Sequence, residues 1–371
     1  MLGDQSGLYA DLGGPGAVQA ARMAVADAGG KVAGMPIEIV VGDHQNKADV
    51  GAAIARRWWD VENVDVIVDL GNSSVAAAIN ALSVAKKKAV LIASAPSSSL
   101  TGRDCSPWSI QWTHNTYALA EGTAKSITSF GAKSWFFITV DYTFGHALQN
   151  DASAAVSEAG GKTLGVVRHP IGSSDFSSYL LQAQAMRPDV IGFANTGGDV
   201  VNAVKQAREF GLTQSGIKLA ALLMELGEVK AAGIENAQGL YLTEAYYWDR
   251  NDASRQWAKK YFDAMHKMPN MNQAGLYSAL THYLKAVESS KNVDAETVIP
   301  EMRRQPVADF FAENGYVRED GQFVHDYFLF QVKSPAESKS EWDLYKFVKT
   351  IPATEAYAPI ERSACPFVKR N

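Results

Sequence analysis

The run Ala24-Val25-Ala26-Asp27-Ala28-Gly29-Gly30-Lys31 returns later in the chain as Ala155-Val156-Ser157-Glu158-Ala159-Gly160-Gly161-Lys162. Each copy reads as a helix ending on a Gly pair, which suits a left-handed C-cap, followed by a strand. A second echo comes in the same order. Val64-Asp65-Val66-Ile67 leads into Gly71-Asn72-Ser73-Ser74-Val75, and Pro188-Asp189-Val190-Ile191 leads into Thr196-Gly197-Gly198-Asp199-Val200. Two ordered echoes are hard to obtain by chance, so the chain is expected to hold two similar lobes. Its 371 residues are too many for one ordinary core and fit two domains.

Short apolar runs at Ile37–Val41, Val64–Leu70, Ala89–Ala93, Trp135–Val140, Thr163–Arg168, Val190–Phe193 and Lys218–Leu222 have the length of buried strands. Between them, Gly16–Ala28, Ala48–Val61, Val75–Ala85, Leu119–Phe130, His146–Ala159 and Val200–Phe210 carry helical apolar spacing. This alternation predicts an α/β chain, two Rossmann-like lobes with parallel sheets covered by helices. Beyond residue 250 the pattern turns helical (Ala253–His266, Gln273–Ser289, Ala295–Arg304) and ends in an expected hairpin, Gln322–Val332 with Trp342–Val348.

Several functions are disfavoured. A net charge of −5 with scattered Lys and Arg offers no basic face for nucleic acid. No apolar run reaches the roughly 18 residues of a membrane helix. Gly13-Gly14-Pro15-Gly16 lacks the spacing of a phosphate loop, so no cofactor is expected. The seven histidines show no metal-ligand spacing, so no metal is expected. No G-x-S-x-G elbow occurs, and Asp141 and Asp175 form no recognisable acid–base pair, so the chain reads as a non-enzyme. Met1-Leu2-Gly3-Asp4 carries no export signal, which means either a cytoplasmic chain or a mature or truncated start. Cys105 and Cys365 lie in polar, loop-like surroundings close to Pro. They are either a disulfide pinning a tail in an oxidising compartment or two unrelated thiols.

In open α/β sheets ligands bind at the carboxyl ends of strands, so two facing lobes make a cleft lined by those loops. In lobe one, Asn72-Ser73-Ser74 is expected to cap a helix starting at Val75, placing hydroxyls and backbone N–H groups at the positive end of a helix dipole. Ser94-Ala95-Pro96-Ser97-Ser98-Ser99 adds donors on the same edge, and Thr196-Gly197-Gly198 is the matching loop of lobe two. Each serine loop alone reads first as ordinary capping or loop; together on one edge, opposite the matching loop, they point to a carboxylate site. Tyr246-Tyr247-Trp248 either lines an apolar pocket or joins the core.

Ser6-Gly7-Leu8-Tyr9-Ala10-Asp11-Leu12-Gly13, Asp27 before Gly29-Gly30, Asp43, and Asp141-Tyr142-Thr143-Phe144-Gly145 resemble the leucine/isoleucine/valine-binding proteins of ABC importers. Asp175-Phe176-Ser177-Ser178 and Gln206-Ala207-Arg208-Glu209-Phe210-Gly211-Leu212 extend the likeness over nearly the whole chain. The resemblance implies a type I periplasmic binding fold, two lobes joined by three crossovers that close like a hinged trap. On that basis residues 1–118 with 249–328 form lobe one, residues 119–248 with 329–349 form lobe two, and residues 350–371 return to lobe one. It further implies a periplasmic monomer, a small-molecule ligand, a membrane permease as partner, a start inside the family's first strand, and a Cys105–Cys365 disulfide.

By the same resemblance the ligand carboxylate falls to Ser74 or Ser73, Ala95 and Ser97, with Leu12, Tyr142, Phe144 (where the family has Tyr) and Tyr277 nearby. Two departures stand out. The acid that pairs with a ligand ammonium aligns with Leu222, Glu225 fitting only after a shift, and the lobe-two tyrosine is replaced by Thr196 or Gly197. An ammonium buried without an anion is costly. The Leu242–Ala253 segment is similar to a branch that takes up aromatic acids such as hydroxybenzoates or phenylpropenoates. An aromatic carboxylate is therefore expected ahead of a branched-chain or other amino acid. A cytosolic ligand-sensing regulator, or an enzyme on the same fold, is the alternative of another class.

Overall fold

The computed structural model describes residues 1–369. The chain divides into two compact units. The first contains Met1–Asn115, Tyr246–His325 and the stretch from Ala358 onward; the second contains Thr116–Ala245 and Asp326–Tyr357. The chain thus changes unit after Asn115, Ala245 and His325, and its tail returns to the first unit after Tyr357.

The first unit is built on five parallel strands in the spatial order Gly42–Asp43, Leu2–Gly3, Val66–Asp69, Ala89–Ile92, Ser109–Gln111. In chain order this is 2-1-3-4-5, a doubly wound arrangement whose switch point lies between the first and third strands. The second unit repeats it with Lys162–His169, Ser134–Val140, Val190–Ala194, Lys218–Ala221 and Tyr241–Glu244, all parallel. Tyr327–Val332 and Tyr345–Ile351 then extend that sheet antiparallel. The sequence repeat is therefore a repeat of topology.

The Gly pairs act as the repeat suggests. Gly29 and Gly160 sit at φ 74° and 75°. Gly30 N–H reaches Val25 O and Gly29 N–H reaches Ala26 O, while Gly161 and Gly160 reach Val156 O and Ser157 O in the same pattern. Both helices end in Schellman motifs.

Continuous apolar strands such as Val66-Ile67-Val68 and Val90-Leu91-Ile92 reflect sheets covered on both faces. In the first unit, Leu2, Trp58, Ile67, Val75, Ile79 and Val90 form one buried cluster. Each such side chain contributes roughly 1.5–3 kcal/mol of burial. A disulfide joins Cys105 to Cys365, with Cα atoms 5.7 Å apart across 260 residues of sequence, and ties the tail to the first unit. Among the described residues, no helix is long and apolar enough to cross a membrane.

Two element expectations are corrected. Ile37–Val41 does not join the sheet; pairing starts only at Gly42, because the neighbouring strand Leu2–Gly3 is two residues long. The terminal hairpin is shorter than expected, since Phe323–Val324 pairs instead with Tyr316–Val317.

Candidate functional site

At the first unit's switch point the Val66–Asp69 strand ends in a tight reversal. Asp69 and Leu70 adopt φ 91° and 61°, a left-handed region unusual for non-glycine residues. Such strain costs on the order of 1–3 kcal/mol per residue and clusters at functional sites. The reversal presents Asn72, whose Oδ1 accepts the N–H of Ser74 at 2.9 Å and of Val75 at 3.2 Å. The cap is thus Asn72, and the helix begins at Ser73 rather than Val75. Two of its first N–H groups are already satisfied, so the donors this edge keeps are chiefly hydroxyls.

Ser73 and Ser74 occupy the first turn of this 14-residue helix, Ser73–Lys86. Ser73 Oγ accepts the N–H of Ser97 at 3.3 Å. Ser97 Oγ lies 2.9 Å from Ser99 Oγ. Gln111 Nε2 donates to Ala95 O at 2.9 Å and to Ser97 O at 3.0 Å, fixing that loop against the next strand. The fold therefore gathers Ser73, Ala95 and Ser97, with Ser74 beside them. Behind them Asp69 is fully buried and accepts from Ser94 Oγ at 2.5 Å. Burial pushes its carboxyl up to about 6. Asp4 orders the loop after the first strand, accepting the N–H groups of Gly7 at 2.7 Å and Tyr9 at 2.9 Å. A neutral cap, several hydroxyls and a helix dipole make this an edge that favours an anion.

The second unit's switch point has the opposite character. The helix Gly198–Glu209 follows Gly197, which supplies no side-chain cap. The Glu228 carboxylate serves instead: Oε1 accepts Thr196 Oγ1 at 3.0 Å and the N–H of Gly197, and Oε2 accepts the N–H of Glu225 at 2.5 Å. Glu225 and Glu228 form a reciprocal capping box at the start of the helix Leu226–Ala232. Glu244 ends the next strand and accepts from Tyr345 OH at 3.1 Å. Burial raises its carboxyl well above the ordinary range, and the charge on Glu228 adds to this. All three glutamates are buried.

The remaining expected residues divide. Thr196 and Gly197 are committed to Glu228. Leu222 is fully buried, and its N–H goes to Phe193 O at 3.1 Å. Tyr142 precedes the helix Thr143–Glu158 at the second unit's switch point, whereas Phe144, in the first turn, is core. Leu12 is held by its carbonyl, which accepts from Asn270 Nδ2 at 2.9 Å and Gln273 Nε2 at 3.3 Å. Tyr277 is not gathered with the serines. Its hydroxyl donates to Asp27 Oδ2 at 2.6 Å, at the far end of the helix Gly14–Asp27. Tyr246 is core, its ring edge-on to those of Trp257 and Phe310 and its hydroxyl on Ser254 O.

Asp69, Asp4, Glu228 and Glu244 were not singled out from sequence. Asp69 had a readable signal: an acid closing the apolar run Val66-Ile67-Val68 just ahead of Leu70-Gly71. Glu228 had only the local Glu-x-x-Glu spacing of its own capping box, and nothing in the sequence pointed to its bonds with the remote Thr196 and Gly197.

The family model described as "Periplasmic binding protein" matches residues 1–339. A periplasmic binding protein from Burkholderia mallei is 47% identical, with a TM-score of 0.96, covering 99% of this chain and 98% of its own. A branched chain amino acid ABC transporter periplasmic ligand-binding protein from Burkholderia xenovorans LB400 is 36% identical, with a TM-score of 0.89 and coverages of 99% and 98%. A solute-binding protein of an ABC transporter from Rhodopseudomonas palustris HaA2, in complex with p-hydroxybenzoic acid, is 21% identical with a TM-score of 0.87, covering 95% of this chain and 96% of its own, and shares the fold alone. With the family model spanning most of its length and the doubly wound topology present twice, the chain belongs to the periplasmic binding protein family.

Proposed function

We propose that the protein is the solute-binding component of an ABC importer, working in the periplasm with a membrane permease, and that it holds a small organic carboxylate. The carboxylate is assigned to the first unit, at the start of the helix Ser73–Lys86. One observation carries this assignment. Of the two equivalent helix starts, the one in the second unit is already occupied by the Glu228 carboxylate, whereas the one in the first unit has a neutral Asn72 cap and the hydroxyls of Ser73, Ser74 and Ser97. A ligand anion is repelled by the former and favoured by the latter.

The ligand favoured is an aromatic acid bearing a ring hydroxyl. The residues at Thr196 and Gly197 are small, Leu222 is apolar, and both oxygens of Glu228 are spent inside the protein. An amino acid is the second reading, and Glu225 is its specific support: a buried carboxylate just after the strand Lys218–Ala221 suits an ammonium. Calorimetric titration with 4-hydroxybenzoate, its methyl ester and leucine tests both. The favoured reading expects the acid to bind and its ester not to. Binding of leucine alone would replace it with the second reading, and equal binding of acid and ester would remove the carboxylate assignment.

A further inference from the structure

Asp69 is a buried acid for which the carboxylate site has so far found no use. It closes the strand Val66–Asp69 in the left-handed region and is fully buried. Its bonds converge on one loop. The main-chain oxygen accepts the N–H groups of Ala93 at 3.0 Å and Ser94 at 3.2 Å, and Oδ1 lies 2.5 Å from Ser94 Oγ. Ser94 stands directly ahead of Ala95 on the serine edge. The second carboxyl oxygen, Oδ2, has no hydrogen-bond partner among the described residues. It fills a niche that two glycines leave open: a methyl group at Gly3 would collide with it, and one at Gly13 would lie 3.3 Å away.

A carboxylate with a single hydroxyl donor and one bare oxygen is poorly matched to burial, and a neutral carboxylic acid fits better. The surroundings pull both ways. Burial, the largest influence, raises the carboxyl to about 6, and Asp4 adds to it, while the Ser94 hydroxyl and the Met1 ammonium act against it. The start of the helix Gly14–Asp27, just past Gly13, also favours the anion. The two states use Ser94 differently. Ionised, Asp69 only accepts, so the Ser94 hydroxyl turns its proton back onto Oδ1. Protonated, Asp69 donates to Ser94 Oγ, and the serine proton is released towards the edge.

We propose that Asp69 and Ser94 form a proton-controlled relay behind the carboxylate site: the protonated pair offers the ligand anion an extra hydroxyl donor, and the ionised pair withdraws that donor and adds a repelling charge. Asp69 is thus a positioning residue acting through Ser94, and the proposal rests on the carboxylate reading above. Both effects have the same sign. Binding above the midpoint takes up a proton from the buffer, so affinity falls as pH rises through about 6, with a ceiling of about tenfold per pH unit.

The test begins with the ligand-free protein. By NMR, the Asp69 carboxyl carbon and the Ser94 amide should titrate together near pH 6, and the amide should stop titrating in Asp69→Asn. A Ser94 amide indifferent to pH, or one that titrates unchanged in Asp69→Asn, would overturn the relay. Calorimetry with 4-hydroxybenzoate at about pH 5.5 and pH 8 then reads affinity, which is expected to fall roughly tenfold or more across that range. Asp69→Asn should show one affinity at both pH values. Ser94→Ala should lose several-fold at the lower pH and little at the higher. A flat profile for the unaltered protein, or a slope that survives in Asp69→Asn, would overturn the proposal and leave the carboxylate reading in place. Failure of the acid to bind at either pH would overturn that reading, and the proposal with it.

Discussion

In the first unit the helix after the third strand is capped by the neutral amide of Asn72, one residue ahead of it; in the second, the equivalent helix borrows the Glu228 carboxylate from the following helix. Both helices start at the switch point of a 2-1-3-4-5 sheet, so their dipoles present the same positive end to the same kind of loop. The difference lies in who satisfies that end. Where a protein carboxylate has done so, the edge is acidic and rejects a second anion. Where an amide has done so, charge is still favoured and hydroxyls are at hand to bond it. Duplicated topology has thus been given two polarities by one residue at each site.

The largest expected effect separates the units by covalent chemistry. Both cysteines belong to the first unit. Replacing them together (C105S with C365S) should cost that unit about 2–5 kcal/mol. Denaturant titration with hydrogen exchange checks this: protection should fall at Ala89–Ile92 and hold at Ser134–Val140, and an equal loss in both would break the comparison.

Next comes pH, where the units are alike. Burial raises Asp69 in the first unit and Asp199 in the second from 3.8 to about 6. A carboxyl raised on folding favours the folded state in full below its unfolded pKa and loses that contribution as pH rises through the folded value. The contribution of each carboxyl should therefore decline between about pH 4 and pH 6, by up to about 3 kcal/mol for a fully buried group such as Asp69, while buried His44 and His114, held down to about 4 and about 3, act in the opposite sense over that range. Asp69→Asn should flatten the decline for the first unit only, as followed by exchange at pH 4.5 and 7.

The caps give the smallest and sharpest contrast. Glu228→Gln leaves a charge-assisted network unmade and should cost about 1–3 kcal/mol. Asn72→Ala removes a neutral cap and should cost about 1 kcal/mol. Urea midpoints of the two variants check the order, and a larger loss for Asn72→Ala would reverse the view of which helix depends more on its cap.

Much of this was legible because it is local. The Gly-Gly helix ends, the apolar strands and the Asn-Ser-Ser run are contiguous segments with physical signatures of their own. The approximate place of the serine edge followed from topology. What was not legible depended on distance. Glu228 caps a helix thirty residues earlier in the chain (Gly198–Glu209), and nothing local to Thr196-Gly197 announces it. Tyr277 sits on the expected helix, but its hydroxyl is drawn to Asp27 by the packing of two helices remote in sequence. Ile37–Val41 has every local property of a strand and fails only for want of a long enough neighbour.

The central claim is that the ligand carboxylate meets the serine hydroxyls of the first unit. A double-mutant cycle tests it most directly, pairing Ser74→Ala with replacement of the acid by its primary amide and measuring all four affinities by calorimetry. The account predicts that Ser74→Ala weakens the acid by about 1–3 kcal/mol and the amide by much less, leaving a clear coupling energy. Equal losses for acid and amide would contradict it.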